Sequence, residues 1–342
     1  MTPVTLLTVP TLSLCIPTYK RAALLEQALT AVLAQITPAM ASCVEMIVLD
    51  NASPDDTPGV VQRAQAAFPH TPLRCVRRPE NIGPDANFTD ALAQARGEFL
   101  LLLSDDDVLL PGAVARLLEL IAAHPDFDAF SLNARPFSQS PDEAAQSIFR
   151  LDQDKVLKTR DEALVFLNTH ITFLSCIAFR RAAVEGKEYA DKAGSLLIQA
   201  FFFVDALSPG HGLYVTRQPY LAQRADNNQG FDFFEVFVTN FNRVLVYARQ
   251  RGYSEAAIRQ VQAKALRFVC YFVGVFKTKG RVGTIRPDYR DGLRRVWRVY
   301  GPHPALLIIV SMILLPRPLY GLLFTRLHTL YKRVRRRGEV MP

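Results

Sequence analysis

Gly97-Glu98-Phe99-Leu100-Leu101-Leu102-Leu103-Ser104-Asp105-Asp106-Asp107 is the stretch on which the reading of this chain turns. Phe99 to Leu103 is an unbroken apolar run between polar boundaries. It predicts a strand buried on both faces, because it is too short for a buried helix. Three consecutive aspartates follow, and Pro111 then opens a helical segment from Gly112 to His124. Adjacent carboxylates repel unless a cation or hydrogen-bond donors compensate them. At the C-terminal edge of an open α/β sheet, where ligands bind, the expected compensator is a divalent metal holding a diphosphate. A solvated acidic turn that caps the next helix accounts for the same residues. The flanking sequence decides between the two.

Upstream, Leu12 to Ile16 reads as a strand that ends in the turn Pro17-Thr18-Tyr19-Lys20-Arg21. Ala22, Leu25, Leu29, Val32 and Leu33 then follow a helical spacing. Val44 to Leu49 is a second strand, ending in Asp50-Asn51-Ala52-Ser53. Thr57 to Phe68 is a helix, and Leu73 to Val76 a short third strand. The loop Asn81-Ile82-Gly83-Pro84-Asp85-Ala86-Asn87 leads into a helix from Phe88 to Arg96, and the Phe99–Leu103 strand comes next. Strand and helix thus alternate four times, which argues for a mostly parallel sheet with right-handed crossovers. The polar motifs fall at the ends of strands one, two and four, where such a sheet binds a nucleotide.

Downstream the pattern is less regular. Asp128 to Leu132 reads as an edge or fifth strand, Asp161 to Thr169 as a helix, and Ser175 to Arg180 as a strand. Leu196 to Leu207 is an apolar helix with Ser195 as its cap, and Leu213 to Thr216 is a last strand. Gln223 to Gly230 breaks the alternation, and two helices rich in Phe, Val and Arg follow, from Phe231 to Gln250 and from Ser254 to Val275. The expected divisions are 1–228 for the nucleotide-binding and catalytic domain, 229–300 for a helical extension, and 301–342 for an apolar and basic tail.

The net charge of +8, from 40 Lys and Arg against 32 Asp and Glu, is concentrated toward the C-terminus beside an apolar segment. With no nucleic-acid-binding motif in view, that placement favours lipid over nucleic acid. The five cysteines are scattered without a C-x-x-C pair, so neither a zinc site nor a disulfide framework is indicated. Thr8 to Pro17 has no positive flank or cleavage site and reads as a strand, not a signal peptide.

Leu14-Cys15-Ile16-Pro17-Thr18-Tyr19-Lys20-Arg21, Ile47 to Ser53, Asn81-Ile82-Gly83 and Leu103 to Gly112, in this order, resemble glycosyltransferase family 2. The Asn81–Asn87 loop and Ser104–Asp107 are most similar to the branch containing bacterial abequosyltransferases. The resemblance covers about the first 125 residues. It implies a GT-A fold and an inverting transfer from a nucleotide-diphosphate sugar, with a pyrimidine base favoured, in bacterial surface polysaccharide synthesis. The donor would be held by Pro17, Thr18, Tyr19, Asp50, Asn81, Asp85, Asn87 and Asp105. The family's Asp-x-Asp falls on Ser104-Asp105-Asp106, making Asp106 the ligand for Mg²⁺ or Mn²⁺ with Asp107 in support. Ser104 replaces the first acid of that motif. The family's Glu-Asp base motif has no clear counterpart; Asp191 is the acid best placed by order, with Asp205 and Asp226 next. Rival readings are a non-catalytic assembly protein on a decayed transferase fold and a sugar-nucleotide pyrophosphorylase. The latter needs a Gly-rich basic loop after the first strand, and Pro17–Arg21 contains no glycine.

Ala305 to Leu315 is strongly apolar but spans about half of the roughly 20 residues a crossing helix needs. Arg294, Arg295 and Arg298 precede it, with Val296, Trp297 and Tyr300, and the basic run Lys332 to Arg337 follows it. Such a segment is expected to lie in the interface of an anionic leaflet. The implied setting is the cytoplasmic face of the bacterial inner membrane, peripheral or monotopic, with a lipid-linked oligosaccharide as acceptor.

Overall fold

The computed structural model describes residues 9–142, 145–207, 212–225 and 230–315. Its first half follows the expected alternation. Strand β1 (Leu12–Thr18) leads to helix α1 (Ala22–Leu33), β2 (Val44–Asp50) to α2 (Thr57–Ala67), and β3 (Leu73–Arg77) to α3 (Pro84–Gln94). Strand β4 (Phe99–Leu102) then runs into the aspartates. A two-residue strand β5 (Val108–Leu109) comes before α4 (Ala113–Ala123), so the acidic turn is held between two strands and does not open directly into a helix.

The second half supplies β6 (Ala129–Phe137), β7 (Lys155–Leu157), α5 (Arg160–Leu167), β8 (Ile177–Arg180), α6 (Ile198–Ala206) and β9 (Leu213–Arg224). The nine strands of the described residues form one sheet. Its order is β3-β2-β1-β4-β8-β6-β9-β5, and β7 pairs with the first residues of β9, on the edge whose far end carries β5. Strands β1 to β4 are mutually parallel. Beyond them the sheet is mixed, because β8 is inserted antiparallel between β4 and β6 while β6 and β9 are parallel. The strand expected at Asp128–Leu132, as an edge or fifth strand, is therefore interior and longer. Its partner β9 extends to Arg224, well past Thr216. The register slips between Ser131 and Ala134, and the buried Asn133 occupies the irregularity. Its amide donates to the carbonyls of Phe149 and Arg217, and its oxygen accepts from the N–H groups of Ala134 and Phe149. A buried irregular backbone demands such a partner for each polar group.

The pleat divides the core into two layers. Leu12, Leu14, Ile16, Met46, Val48, Phe99, Leu101 and Leu103 pack with α1, α2 and α4; Cys15, Ile47, Leu49, Leu100 and Leu102 face the opposite layer with α3, α5 and α6. Helix α5 begins at a complete capping box between Thr159 and Glu162. Helix α6 starts at Ile198, later than Ser195, whose hydroxyl accepts from the Leu197 N–H.

Three C-terminal helices follow a π-helical turn at Glu235–Asn240. They are α7 (Phe241–Gln250), α8 (Glu255–Lys279) and α9 (Tyr289–Tyr300), and the apolar α10 (Pro304–Leu314) comes after them. The first half of α8 packs into the main core through Ile258, Val261 and Ala265. Its second half builds a separate cluster with Phe233, Phe234, Val296 and Ile309. Gly292 permits this docking, since a Cβ there would lie 2.5 Å from the Phe234 ring. No helix among the described residues is long and apolar enough to cross a membrane. Residues 316–342, including the Lys332–Arg337 run, lie outside the described residues.

Candidate active site

Register fixes the site. Thr18 and Asp50 are opposite one another at the ends of β1 and β2, and the Leu103 N–H bonds the Cys15 carbonyl, which brings Ser104–Asp107 beside Thr18. A cleft of about 300 Å³ opens there, lined by Thr18, Tyr19, Asn51, Asn81, Asn87 and Asp105 among others. Lys20 and Ala52, just after these strands, have φ of 58° and 60°, a left-handed conformation that costs free energy in residues other than glycine. The Lys20 N–H donates to Ser53 Oγ at 3.1 Å, so the two turns brace each other.

The aspartates take three different roles. Asp105 is buried; its carboxylate accepts from Thr18 Oγ1 at 2.8 Å and from Arg21 at 2.9 Å. Burial pushes it up to about 6, with the Asp106 charge adding to the rise and Arg21 and Thr18 opposing it. Asp106 accepts from the Ser104 hydroxyl and has Arg21 3.6 Å from its other oxygen. Asp107 is buried deepest. It accepts from Ser175 Oγ at 2.6 Å and from the Arg224 N–H at 3.0 Å. Burial, helped by Asp106, pushes Asp107 up to about 8. Its oxygens thus anchor the turn to the segment before β8 and to the end of β9, which is a bracing role. Arg21, the hydroxyls of Thr18, Ser104 and Ser175, and the backbone of Arg224 thus help to compensate the triplet.

A divalent ion fits the remaining chemistry. Asp106 and the Ser104 hydroxyl are hard oxygen donors, and Mg²⁺ commonly takes one or two carboxylates with water and substrate phosphates. No cluster of three His, Cys, Asp or Glu among the described residues forms a metal cage by itself. The shell at Asp106 would therefore depend on the diphosphate.

The opposite wall is organised by Asn51, which sequence reasoning quoted only within a motif. Its amide donates to Asn81 Oδ1 at 2.9 Å and to the Gly83 carbonyl, and its oxygen accepts from the Ile82 N–H at 2.9 Å. Asn81 also accepts from the Gly83 N–H and interacts with the Tyr19 hydroxyl, holding that phenol below its ordinary value. Asn87 is buried and donates to the Leu49 carbonyl, while its enclosed Oδ1 has no hydrogen-bond partner among the described residues. Asp85 faces away from the donor wall: it accepts from the Leu196 N–H at 2.9 Å and from Ser195 Oγ at 3.3 Å. It fixes the left-handed Leu196 (φ 57°) against the start of α3. Pro17 is buried at the end of β1 and lines the cleft. Asp50, fully buried, caps its own turn through the Ser53 N–H at 2.8 Å and pairs with Arg77 at 3.2 Å.

The three candidate bases separate clearly. Asp191 lies exposed on a short turn, paired with Lys192, which keeps its carboxyl below the ordinary range; it does not line the cleft. Asp205 is a buried structural hub, accepting from the hydroxyls of Tyr189 (2.9 Å) and Tyr247 (2.6 Å) and pairing with Arg251 at 2.9 Å. Asp226 lies outside the described residues.

Comparison with known proteins agrees with this geometry. The Glycosyl transferase family 2 profile matches residues 13–186. A GalNAc(5)-diNAcBac-PP-undecaprenol beta-1,3-glucosyltransferase of Campylobacter jejuni is 37% identical over 110 residues, 32% of this chain and 34% of that protein. Abequosyltransferase RfbV of Salmonella typhimurium is 30% identical over 115 residues, 34% of each chain. The chain thus spans about a third of the length of these curated relatives. The structure of S. aureus TarS 1–349 with UDP-GlcNAc superposes with a TM-score of 0.62 at 18% identity, covering 91% of this chain and 86% of that one. A mannosyltransferase of Pyrobaculum calidifontis with GDP-Man and Mn²⁺ gives 0.53 at 19% identity, covering 92% and 83%. These likenesses establish the GT-A architecture. With the profile spanning half the chain from β1 past β8, the protein belongs to glycosyl transferase family 2.

Proposed function

We propose that this chain is an inverting transferase that moves a sugar from a pyrimidine nucleotide-diphosphate donor to a lipid-linked glycan in bacterial surface polysaccharide synthesis. It would work as a peripheral or monotopic protein at the cytoplasmic face of the inner membrane. The observation that carries the reading is the acidic turn braced opposite the Asn51-held loop across one cleft. The name of the Campylobacter relative, which carries a PP-undecaprenol-linked glycan, supports the acceptor class, and that of a Rhizobium meliloti relative, a succinoglycan biosynthesis protein, supports polysaccharide synthesis.

Thr18 and Asp105 would meet the ribose and diphosphate. Asn87 and the Tyr19 ring line the cleft where the base would lie. Arg21, already balancing Asp105 and Asp106, is placed to share its charge with the diphosphate. A divalent cation at Asp106, with Asp107 bracing the turn, would supply neutralisation of the leaving diphosphate. The acceptor oxygen forms its bond to the anomeric carbon as the bond to the diphosphate oxygen breaks, which inverts the centre. Asp191 is proposed to take the acceptor proton on its order along the chain, a role commonly worth about 10² to 10⁴ in rate; it lies outside the cleft and paired with Lys192, so the acceptor would have to present its hydroxyl there. Thermal unfolding with UDP, CDP, dTDP and GDP, each with and without Mn²⁺, tests the reading. One pyrimidine nucleotide should stabilise the protein in a metal-dependent way. Absence of stabilisation by all four, together with no donor turnover, would favour the non-catalytic alternative.

A further inference from the structure

We infer that the outer face of α9 and α10 binds the surface of an anionic phospholipid leaflet. The inference rests on the proposed membrane-linked acceptor but concerns a surface outside the cleft. Arg290, Arg294 and Arg298 recur every four residues along α9, and all three are exposed. None makes an ion pair with a described residue. Arg295, turned about 100° from Arg294 on the same helix, pairs with Asp291 and Glu235 and reaches Thr239. The inward arginine is thus neutralised within the fold, while the outward row is left to repel itself until an anion compensates it.

The row borders apolar surface. Trp297 is 59% exposed, and α10 carries no charged residue, leaving Leu307 73% and Leu314 76% exposed while Ile309 is buried. A groove of about 790 Å³ runs between the helices, lined by Leu293, Arg294, Trp297, Arg298, Leu307 and Val310. Nucleic acid would satisfy the arginines but leave the leucines in water. An anionic leaflet satisfies both, its phosphates meeting the guanidinium row and its acyl boundary taking Trp297 and Leu307.

Trp297 is the chain's single tryptophan, so its emission reports on this face alone. With the full chain, phosphatidylcholine vesicles containing phosphatidylglycerol should shift the emission to the blue and protect it from acrylamide, whereas pure phosphatidylcholine should not. The triple variant Arg290→Gln/Arg294→Gln/Arg298→Gln should bind such vesicles about 10²-fold more weakly. That is about fivefold per arginine, from roughly 1 kcal/mol per basic residue near an anionic surface. Leu307→Ser, a change at an exposed position, should weaken binding independently. Unchanged emission in the wild-type protein overturns the inference, as does equal binding by the triple variant. An emission already blue and unquenchable before lipid is added would mean that another part of the chain covers the face. An equal shift with a soluble polyanion would reassign the face to nucleic acid. Nucleotide-induced thermal stabilisation reads the cleft separately, so loss of one signal with the other retained shows which of the two readings has failed.

Discussion

Ser175→Ala tests the claim that the acidic turn is braced from the far side of the sheet. Ser175 is fully buried; its hydroxyl accepts from the Ser104 N–H at 2.9 Å and donates to Asp107 Oδ2 at 2.6 Å. Removing it leaves two buried polar groups short of a partner, each costing about 1–3 kcal/mol. Asp107 already sits near 8 through burial, and loss of the donor raises it further, so protonation would soften its share. A net loss of roughly 2–4 kcal/mol is expected, equivalent to a fall of about 3–6 °C in Tm for a chain of this size. Ser131→Ala is the control. Ser131 is equally buried, in β6, but its hydroxyl has no hydrogen-bond partner among the described residues. The same substitution there should be neutral or stabilising by up to about 1 kcal/mol. Thermal melts of both variants, with steady-state donor kinetics, make the measurement. Ser175→Ala should also raise the donor KM, because Ser104 and Asp106 are no longer held. Equal changes in Tm for the two serines would refute the bracing argument, whatever their absolute size.

Asp106→Asn should abolish metal-dependent turnover while Tm stays within a few degrees of wild type; near-normal rates at saturating Mn²⁺ would show that another acid holds the ion. Asn51→Ala should raise the donor KM at least about tenfold with a smaller change in kcat, since it frees the Asn81–Gly83 loop from three hydrogen bonds. Asp191→Ala should lower turnover about 10² to 10⁴-fold with nucleotide stabilisation retained, and full activity would place the base elsewhere. Asp205→Ala should cost roughly 3 kcal/mol or more of stability by stranding two buried tyrosine hydroxyls and Arg251, and a melt unchanged from wild type would argue against the hub.

The parallel half of the fold was legible because strands buried on both faces write continuous apolar runs, as in Phe99–Leu103, and each run ends in a polar turn. The acidic turn and the Asn81–Asn87 loop were therefore found by position. Ser175 and Arg224 were not, because they reach Asp107 across 68 and 117 residues and no local spacing marks such a partnership. The two-residue strand β5 was hidden by its length. Whether β6 is an edge or an inner strand stayed open, because nothing in Asp128–Leu132 announces that β8 and β9 flank it. Arg295 was grouped with Arg294 and Arg298 by sequence, yet adjacent helical residues point about 100° apart, and only the fold shows which of them turns inward.

The insertion of β8 between β4 and β6 has a consequence for how the protein is made. The segment that carries all the recognisable motifs ends near residue 125, but the strand that completes β4's free edge is about 75 residues further along the chain than β4 itself. At roughly 5–20 residues per second, a ribosome leaves that edge unpaired for about 4–15 s. An apolar edge open for so long is a template for pairing with other chains. Nascent chains arrested before Arg180 should therefore engage chaperones or aggregate, and a truncation at residue 125 should yield inclusion bodies instead of a minimal nucleotide-binding fragment.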